Sequence, residues 1–332
     1  MAASADRSSA GPPAATETML VTGGAGFAGG HALVRYAGGG RLVAWRRPRG
    51  SAARPIAGVE WQAVNLTDHD AVVRHIARLA PTVIVHLAGA PNVRTSWQNV
   101  VPHVRTNVLG THHLLEAVRL AGHRCRVLVV SSAQVYQASE VPLDEHAPLV
   151  PSSPYGLTKL AQEQLALRSV IEDGLAVVVA RPFNHAGPGQ AADFALPSFA
   201  RQIARIEAGL ERPIIRAGNL DARRDMTDVR DVVDAYLLLA ACGLPGEAYN
   251  VCSGRAPAMR ELLDRLCRLS TVAVQVETDP ERLRPNDVPM LIGNPGRITE
   301  LGWSPRFPLE QTLADILEAA RRETTTSRPR SW

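Results

Sequence analysis

The sequence predicts an α/β protein, a doubly wound parallel sheet followed by a smaller C-terminal α/β region. Three observations predict it. A short apolar run at residues 18–22 enters Gly23-Gly24-Ala25-Gly26-Phe27-Ala28-Gly29 and continues into a helical pattern. Apolar runs of strand length then alternate with amphipathic stretches as far as residue 181. Past that point the strict alternation loosens, which marks a second region. The 332 residues are 45% hydrophobic and 20% charged, an ordinary globular composition with length for two lobes.

Residues 18–22 form the first strand. The spacing Gly23-x-x-Gly26-x-x-Gly29 puts glycines where a backbone must come close to a pyrophosphate, whose charge faces the N-terminus of a helix reaching about Tyr36. The expected site is of the Rossmann, dinucleotide-binding type, with Thr22, Gly23, Gly26, Phe27 and Ala28 around the ligand. Residues 41–45 form the second strand. A site for NAD ordinarily carries an acidic residue at this strand's end, bonded to the ribose 2′-hydroxyl. Arg46 and Arg47 stand there instead, and a guanidinium fits a 2′-phosphate bidentately. The expected cofactor is therefore NADPH, with NADH the second choice.

Residues 59–64 form the third strand, and Asp68 caps a helix running to Leu79. Residues 81–90 read as a buried strand ending in small residues, which leave room for a cofactor lying across the sheet edge. Leu87, Ala88 and Gly89 join the expected site for that reason. His86 lies inside the strand pattern and reads as a packed structural residue rather than a base. A long amphipathic helix follows at 101–121 and contains Asn107. Residues 125–131 form another buried strand, which ends in Ser131-Ser132 at the edge where such sheets bind ligands. Adjacent residues of a strand point to opposite faces, so only one of the two serines can serve.

The next helix, capped by Ser152 or Ser153, carries Tyr155 and Lys159. Positions four apart share one helical face. An ammonium beside a tyrosine favours the phenolate, so the expectation is a Tyr155 pKa below the ordinary value of about 10, giving a proton donor usable near neutral pH. Residues 176–181 form the next strand, and Arg181-Pro182-Phe183-Asn184-His185-Ala186-Gly187-Pro188-Gly189-Gln190 is turn chemistry leading into the second region. Helices are expected there at 194–209, 228–241, 259–269 and 309–321, with strands at 213–216, 248–252 and 272–277. The resulting organisation is a disordered tail at 1–17 and a nucleotide-binding domain at 18–182. A mainly substrate-binding region follows at 183–322, with segments free to return to the first sheet, and a flexible tail at 323–332.

The net charge is +4 and the pI about 9.1, with arginines scattered rather than run together. That balance carries no footprint of nucleic-acid binding and suits a small anionic substrate. Cys125, Cys242, Cys252 and Cys267 sit among apolar neighbours with no C-x-x-C pair, so reduced, buried thiols and a cytoplasmic setting are expected. No run reaches the length of a membrane span, and no metal site is expected.

Thr22-Gly23-x-x-Gly26-Phe27-x-Gly29, Ser132, Tyr155-x-x-x-Lys159 and Arg181-Pro182-Phe183-Asn184 together resemble the extended short-chain dehydrogenase/reductases, over residues 18–321. Within that family, RPFNHAGPGQ at 181–190, GNLDARRDMTDVRD at 218–231, YNVCSG at 249–254 and RPNDVPMLIG at 284–293 look like the enzymes of GDP-4-keto-6-deoxyhexoses. The resemblance implies NAD(P)H-dependent reduction of the C4 ketone, GDP-4-keto-6-deoxy-D-mannose to GDP-D-rhamnose. The alternative is a nucleotide-sugar 4-epimerase or 4,6-dehydratase with retained NAD(P). Gln134 stands where the dehydratase pattern places Glu, and an amide cannot exchange the proton that dehydration requires.

By the same resemblance Ser132 bonds the C4 oxygen, Tyr155 protonates it, and Lys159 lowers the Tyr155 pKa and bonds the nicotinamide ribose. Arg224 and Arg284 match arginines aimed at nucleotide phosphate or ribose, while Arg223 is the solvated neighbour. Asn184 matches a substrate contact and Asp287 a ribose contact. Asn65 and Leu66 fall where adenine is held, Asn65 offering its carbonyl oxygen to the adenine amino group. Asn107 matches a supporting, structural asparagine. A homodimer, or a tetramer built from it, is implied through helices 101–121 and 153–173, where Leu160, Leu165 and Leu167 could serve that contact or the core.

Overall fold

A computed structural model describes residues 17–50, 55–283 and 288–326. The expectations for Arg284 and Asp287, and for most of both tails, lie outside the described residues. Strands β1 (Thr18–Thr22), β2 (Arg41–Arg46), β3 (Val59–Ala63), β4 (Val83–His86), β5 (Arg126–Val130) and β6 (Ala176–Pro182) form one parallel sheet, joined by a seventh strand, Ala248–Val251. Their spatial order is Ala248–Val251, β6, β5, β4, β1, β2, β3. The order reverses between β1 and β4, so a crevice opens beyond their carboxyl ends at that switch point.

The inner strands β1, β2, β4, β5 and β6 are mainly apolar on both faces because helices cover both faces, whereas the edge strand β3 carries Glu60 and Gln62. On one side Leu33 and Tyr36 of helix α1 (Phe27–Tyr36), with Val232, Tyr236 and Leu239 of the helix Val229–Cys242, pack on Val21, Val85 and Leu128. On the other, Val72 and Ile76 join Leu114 and Val118 against Leu20, Ile84, Val127 and Val129. Leu128 is fully buried, so Leu128→Ala is expected to cost about 2–5 kcal/mol.

The remaining chain forms a second cluster in which Phe199 and Ile203, Leu262 and Leu266, and Leu313 and Leu317 meet from three helices. Asp228 joins the two clusters. It caps the helix Val229–Cys242 by accepting from Arg230 N, and it accepts from Thr312 Oγ1 at 2.7 Å. The seventh strand and the helix Val229–Cys242 both come from beyond residue 183 and pack with the first sheet.

The structure departs from the sequence reading in four places. The final helix runs Leu309–Thr326, past 321, and Thr324, Thr325 and Thr326 donate their hydroxyls to carbonyls of the preceding turn. The helix expected at 101–121 contains a wider π-type turn at Val104–Leu109. Short elements at Val93–Gln98, Asn184–Ala186, Arg223–Arg224, Met226–Asp228 and Met290–Leu291 were not expected, being too brief to carry a period. Cys242 is exposed and Cys267 only half-buried, although all four cysteines are free. Among the described residues no helix is long and apolar enough to cross a membrane.

Candidate active site

A cavity of about 1700 Å³ runs from the glycine loop across the sheet edge into the C-terminal region. At its sheet end the glycines are required by contact. Gly23 has φ +71°, and a Cβ there would lie 2.7 Å from Ala88 N. A Cβ on Gly29 would lie 2.2 Å from Gly23 O. The loop thus folds flat against the end of β4 and leaves the N-terminus of α1 open to an anion. Phe27, Ala28, Leu87, Ala88 and Gly89 line this part, and Arg46 and Arg47 line its rim at the end of β2. The chain therefore presents a cradle and a cationic rim that fit a dinucleotide with a 2′-phosphate.

Asn65 and Leu66 also line the cavity. Asn65 Oδ1, expected to meet adenine, already accepts from Thr67 N at 3.2 Å and Thr67 Oγ1 at 3.0 Å. These turn bonds share the oxygen that the sequence reading offers to an adenine amino group. Leu66 is buried and its carbonyl accepts from His113 Nδ1 at 2.9 Å.

Ser132, Tyr155 and Lys159 converge where β5 ends. Ser153 caps the helix Pro154–Asp173 by accepting from Gly156 N at 3.0 Å, and Ser96 Oγ accepts from Tyr155 N at 3.1 Å. A Cβ on Gly156 would lie 2.3 Å from Gln134 O, so the helix start can press against the serine turn. Ser132 Oγ accepts from Gln134 N at 3.2 Å, and both Ser132 and Tyr155 line the cavity at this point. Of the adjacent serines, Ser131 turns its hydroxyl toward the carbonyl of Lys159.

The expected fall in the Tyr155 pKa is overturned. Burial pushes it up to about 12, and the Ser132 hydroxyl offsets only part of that rise. The Lys159 ammonium donates to Val130 O at 2.6 Å and Gln162 Oε1 at 2.5 Å rather than to the phenol. Burial brings Lys159 itself down to about 7, against the pull of Glu163. Tyr155 is therefore held as the phenol, the proton-donating form.

Beside this group lies a buried ionic cluster. Arg181 from β6 is 4% and Glu163 0% exposed, and Arg181 Nη2 donates to Glu163 Oε1 at 2.5 Å. Arg181 also donates to Tyr136 Oη at 2.7 Å, and Tyr136 to Asn250 Oδ1 at 2.7 Å. The π-type turn brings Asn107 inward, where Oδ1 accepts from Ala90 N at 2.8 Å and Nδ2 donates to Thr158 Oγ1 at 2.9 Å. Sequence reasoning missed Glu163 and Gln162; their spacing of four and three from Lys159 on one helix was the available signal.

At the far end Asn184 and Arg224 line the cavity, and Arg223 does not. Asp225, next in the chain, does not line the cavity. Buried, it accepts from Ser253 N and Oγ, Gly254 N and Gly293 N, and so stitches three loops behind the Arg223–Arg224 strand. Asp221 lies by Arg260. Among the described residues, the carboxylates lining the cavity are Asp193, Glu211, Asp279 and Glu281, all beyond β6 and none beside Tyr155. Cationic side chains outnumber them, which favours an anionic ligand.

Sheet order, glycine loop and the Ser132, Tyr155, Lys159 group define an enzyme of the extended short-chain dehydrogenase/reductase class. More narrowly, the chain belongs to the family described as GDP-mannose 4,6 dehydratase, whose model matches residues 20–316. It is 37% identical to GDP-6-deoxy-D-mannose reductase of Pseudomonas aeruginosa, over 91% of this chain and 96% of that protein. Among solved structures it resembles RMD from Pseudomonas aeruginosa complexed with NADPH, with TM-score 0.79 and 33% identity, over 93% of this chain and 100% of that one. It also resembles Thermus thermophilus UDP-glucose 4-epimerase in complex with NAD, with TM-score 0.81 and 27% identity, over 92% and 99%.

Proposed function

We propose that this protein reduces the C4 ketone of a GDP-4-keto-6-deoxyhexose, converting GDP-4-keto-6-deoxy-D-mannose to GDP-D-rhamnose with NADPH. The observation that carries this reading is the composition of the cavity around Tyr155: hydroxyls and the Lys159 ammonium, with Gln134 and, among the described residues, no carboxylate beside them. A ketone can be polarised and protonated by such a group. Removing water across C5 and C6 needs a side chain that takes one proton and returns another, and an amide cannot do so.

NADPH, when bound, supplies the hydride. The glycine loop, Phe27 and Ala28 hold its pyrophosphate, Arg46 and Arg47 its 2′-phosphate, and Leu87, Ala88 and Gly89 leave it room. Ser132 Oγ donates to the substrate's C4 oxygen and fixes it against Tyr155. The phenol proton passes to that oxygen as negative charge develops there. Lys159, charged and held in the helix, steadies the phenolate left behind and bonds the nicotinamide ribose. Asn184 and Arg224 hold the sugar and diphosphate, joined in the full chain by Arg284 and Asp287. On this reading residues 18–182 serve mainly the cofactor and 183–322 mainly the substrate.

We also propose a homodimer in which the helix pair packs on its counterpart. Leu160 and Leu167 lean on the core, whereas Val101, Val104, Leu157 and Ile171 are exposed and available for that contact. Light scattering on the purified protein is expected to give twice the chain mass.

The test of the reaction is NADPH consumption, followed by absorbance, with freshly made GDP-4-keto-6-deoxymannose. Rapid loss is expected in the wild type. Tyr155→Phe is expected to be slower by about 10²–10⁴-fold, the usual worth of a positioned acid. No loss with GDP- or dTDP-linked keto sugars, together with NAD(P) released on denaturation, would point to the epimerase or dehydratase chemistry instead.

A further inference from the structure

Lys159 sits at the end of a buried chain of hydrogen bonds in which every proton can be assigned. Thr111 Oγ1 donates to Asn107 O at 2.7 Å and accepts from Gln162 Nε2 at 2.8 Å. A hydroxyl has one proton and two lone pairs, so its third partner, His86 Nε2 at 2.8 Å, must be a donor. His86 is therefore the Nε2–H tautomer, and its Nδ1 accepts from Thr22 Oγ1 at 2.7 Å. Thr22 Oγ1 in turn accepts from Ala88 N at 3.2 Å. Thr22, His86, Thr111 and Gln162 are each 0% exposed. Burial brings His86 down to about 3, consistent with a neutral ring in this chain.

We infer that Gln162 is a positioning residue: its amide clamps the Lys159 ammonium and ties it, through Thr111 and His86, to Thr22 and Ala88 at the cofactor cradle. Only an amide fits both ends. Its oxygen accepts from Lys159 and its nitrogen donates to Thr111. Leucine would remove both bonds. Glutamate would keep the acceptor and lose the donor, and would set a new negative charge against the ammonium. The titratable groups facing Lys159 are Glu163 on its own helix, already paired with Arg181 from β6, and the neutral His86 from β4. Tyr155, one turn before it on the same helix, is held as the phenol.

The role assigned to Gln162 in turnover rests on the reductase reading, so the experiment has an arm that does not. NADPH affinity is measured by nicotinamide fluorescence across pH in the wild type, Gln162→Glu and Gln162→Leu. Wild-type affinity is expected to weaken as pH rises and Lys159 loses its proton. In Gln162→Glu that midpoint is expected to rise by about one pH unit or more, as an opposite charge within contact distance requires. With keto sugar added, Gln162→Leu is expected to lower kcat about 10- to 100-fold, the scale of a misplaced catalytic group, with KM for the sugar within about twofold. An unmoved midpoint in Gln162→Glu would overturn the clamp, as would a wild-type kcat in Gln162→Leu. If Gln162→Leu fails to fold, the Gln162→Glu midpoint decides. If no keto sugar is reduced, the reductase reading fails while the binding arm still reports on Gln162.

Discussion

The helix Pro154–Asp173 separates two buried polar networks, and Lys159 belongs to both. Toward β6 the network is ionic, with Glu163, Arg181 and Tyr136 between helix and sheet. Toward β4 it is neutral, with Gln162, Thr111, His86 and Thr22. The ionic side sets charge, since Glu163 is the one group that raises the Lys159 pKa against burial. The neutral side sets direction, because each of its protons has one place to go. A cation that must stay charged in a dry site needs the first, and one that must stay aimed needs the second.

Breaking the ionic side is expected to have the largest effect on stability. Glu163→Gln leaves Arg181 charged and buried without its counterion, and such losses cost about 3–5 kcal/mol. Urea unfolding should register that drop, while a variant within about 1 kcal/mol of wild type would show the pair to be dispensable. Breaking the neutral side is expected to cost less. His86→Leu strands the Thr22 hydroxyl and one lone pair of Thr111, a penalty of about 1–3 kcal/mol by the same measurement.

The cofactor rim lies outside both networks and sharpens the contrast by leaving them intact. Arg46→Ala with Arg47→Ala is expected to raise KM for NADPH about 10- to 100-fold, the worth of one or two charge-assisted hydrogen bonds. KM for NADH and the melting temperature should hardly move. An equal rise for both cofactors would remove the 2′-phosphate assignment.

The smallest change is in pH response. Lys159 carries its charge below its pKa of about 7 and loses it above. kcat/KM is therefore expected to fall as pH rises through about 7, well below the Tyr155 value of about 12. In a Glu163→Gln variant the fall should begin at lower pH, because the group that raises the Lys159 pKa has gone. A fall that tracks Tyr155 instead would make the phenol, rather than the ammonium, the limiting group.

Much of the first sheet was legible because most of its strands are short apolar runs and most of its crossovers have a helical period. The glycine loop was legible because its requirement is steric, and the contacts of Gly23 and Gly29 show why. What escaped depends on side chains from distant elements. The turn bond from Thr67 to Asn65 Oδ1 also escaped, since the sequence reading gives no hint of it. Tyr155 was given a depressed pKa from its spacing to Lys159 alone. Whether an ammonium four residues away touches a phenol depends on the other acceptors it can reach, here Val130 O and Gln162 Oε1. Reading His86 as structural was sound for the residue, yet the bonds that give it a direction come from β1 and from the helix Gly110–Ala121, and no local pattern announces them.

The central claim is net reduction at C4, and isotope transfer tests it most directly. The protein would be incubated with NADPH deuterated at the transferable C4 position and with GDP-4-keto-6-deoxymannose, and the product analysed by mass spectrometry and NMR. The expected product is a GDP-6-deoxyhexose bearing one deuterium at C4, formed in step with NADPH loss. Unlabelled product without NADPH loss, or conversion of GDP-mannose to the keto sugar by the protein alone, would contradict it.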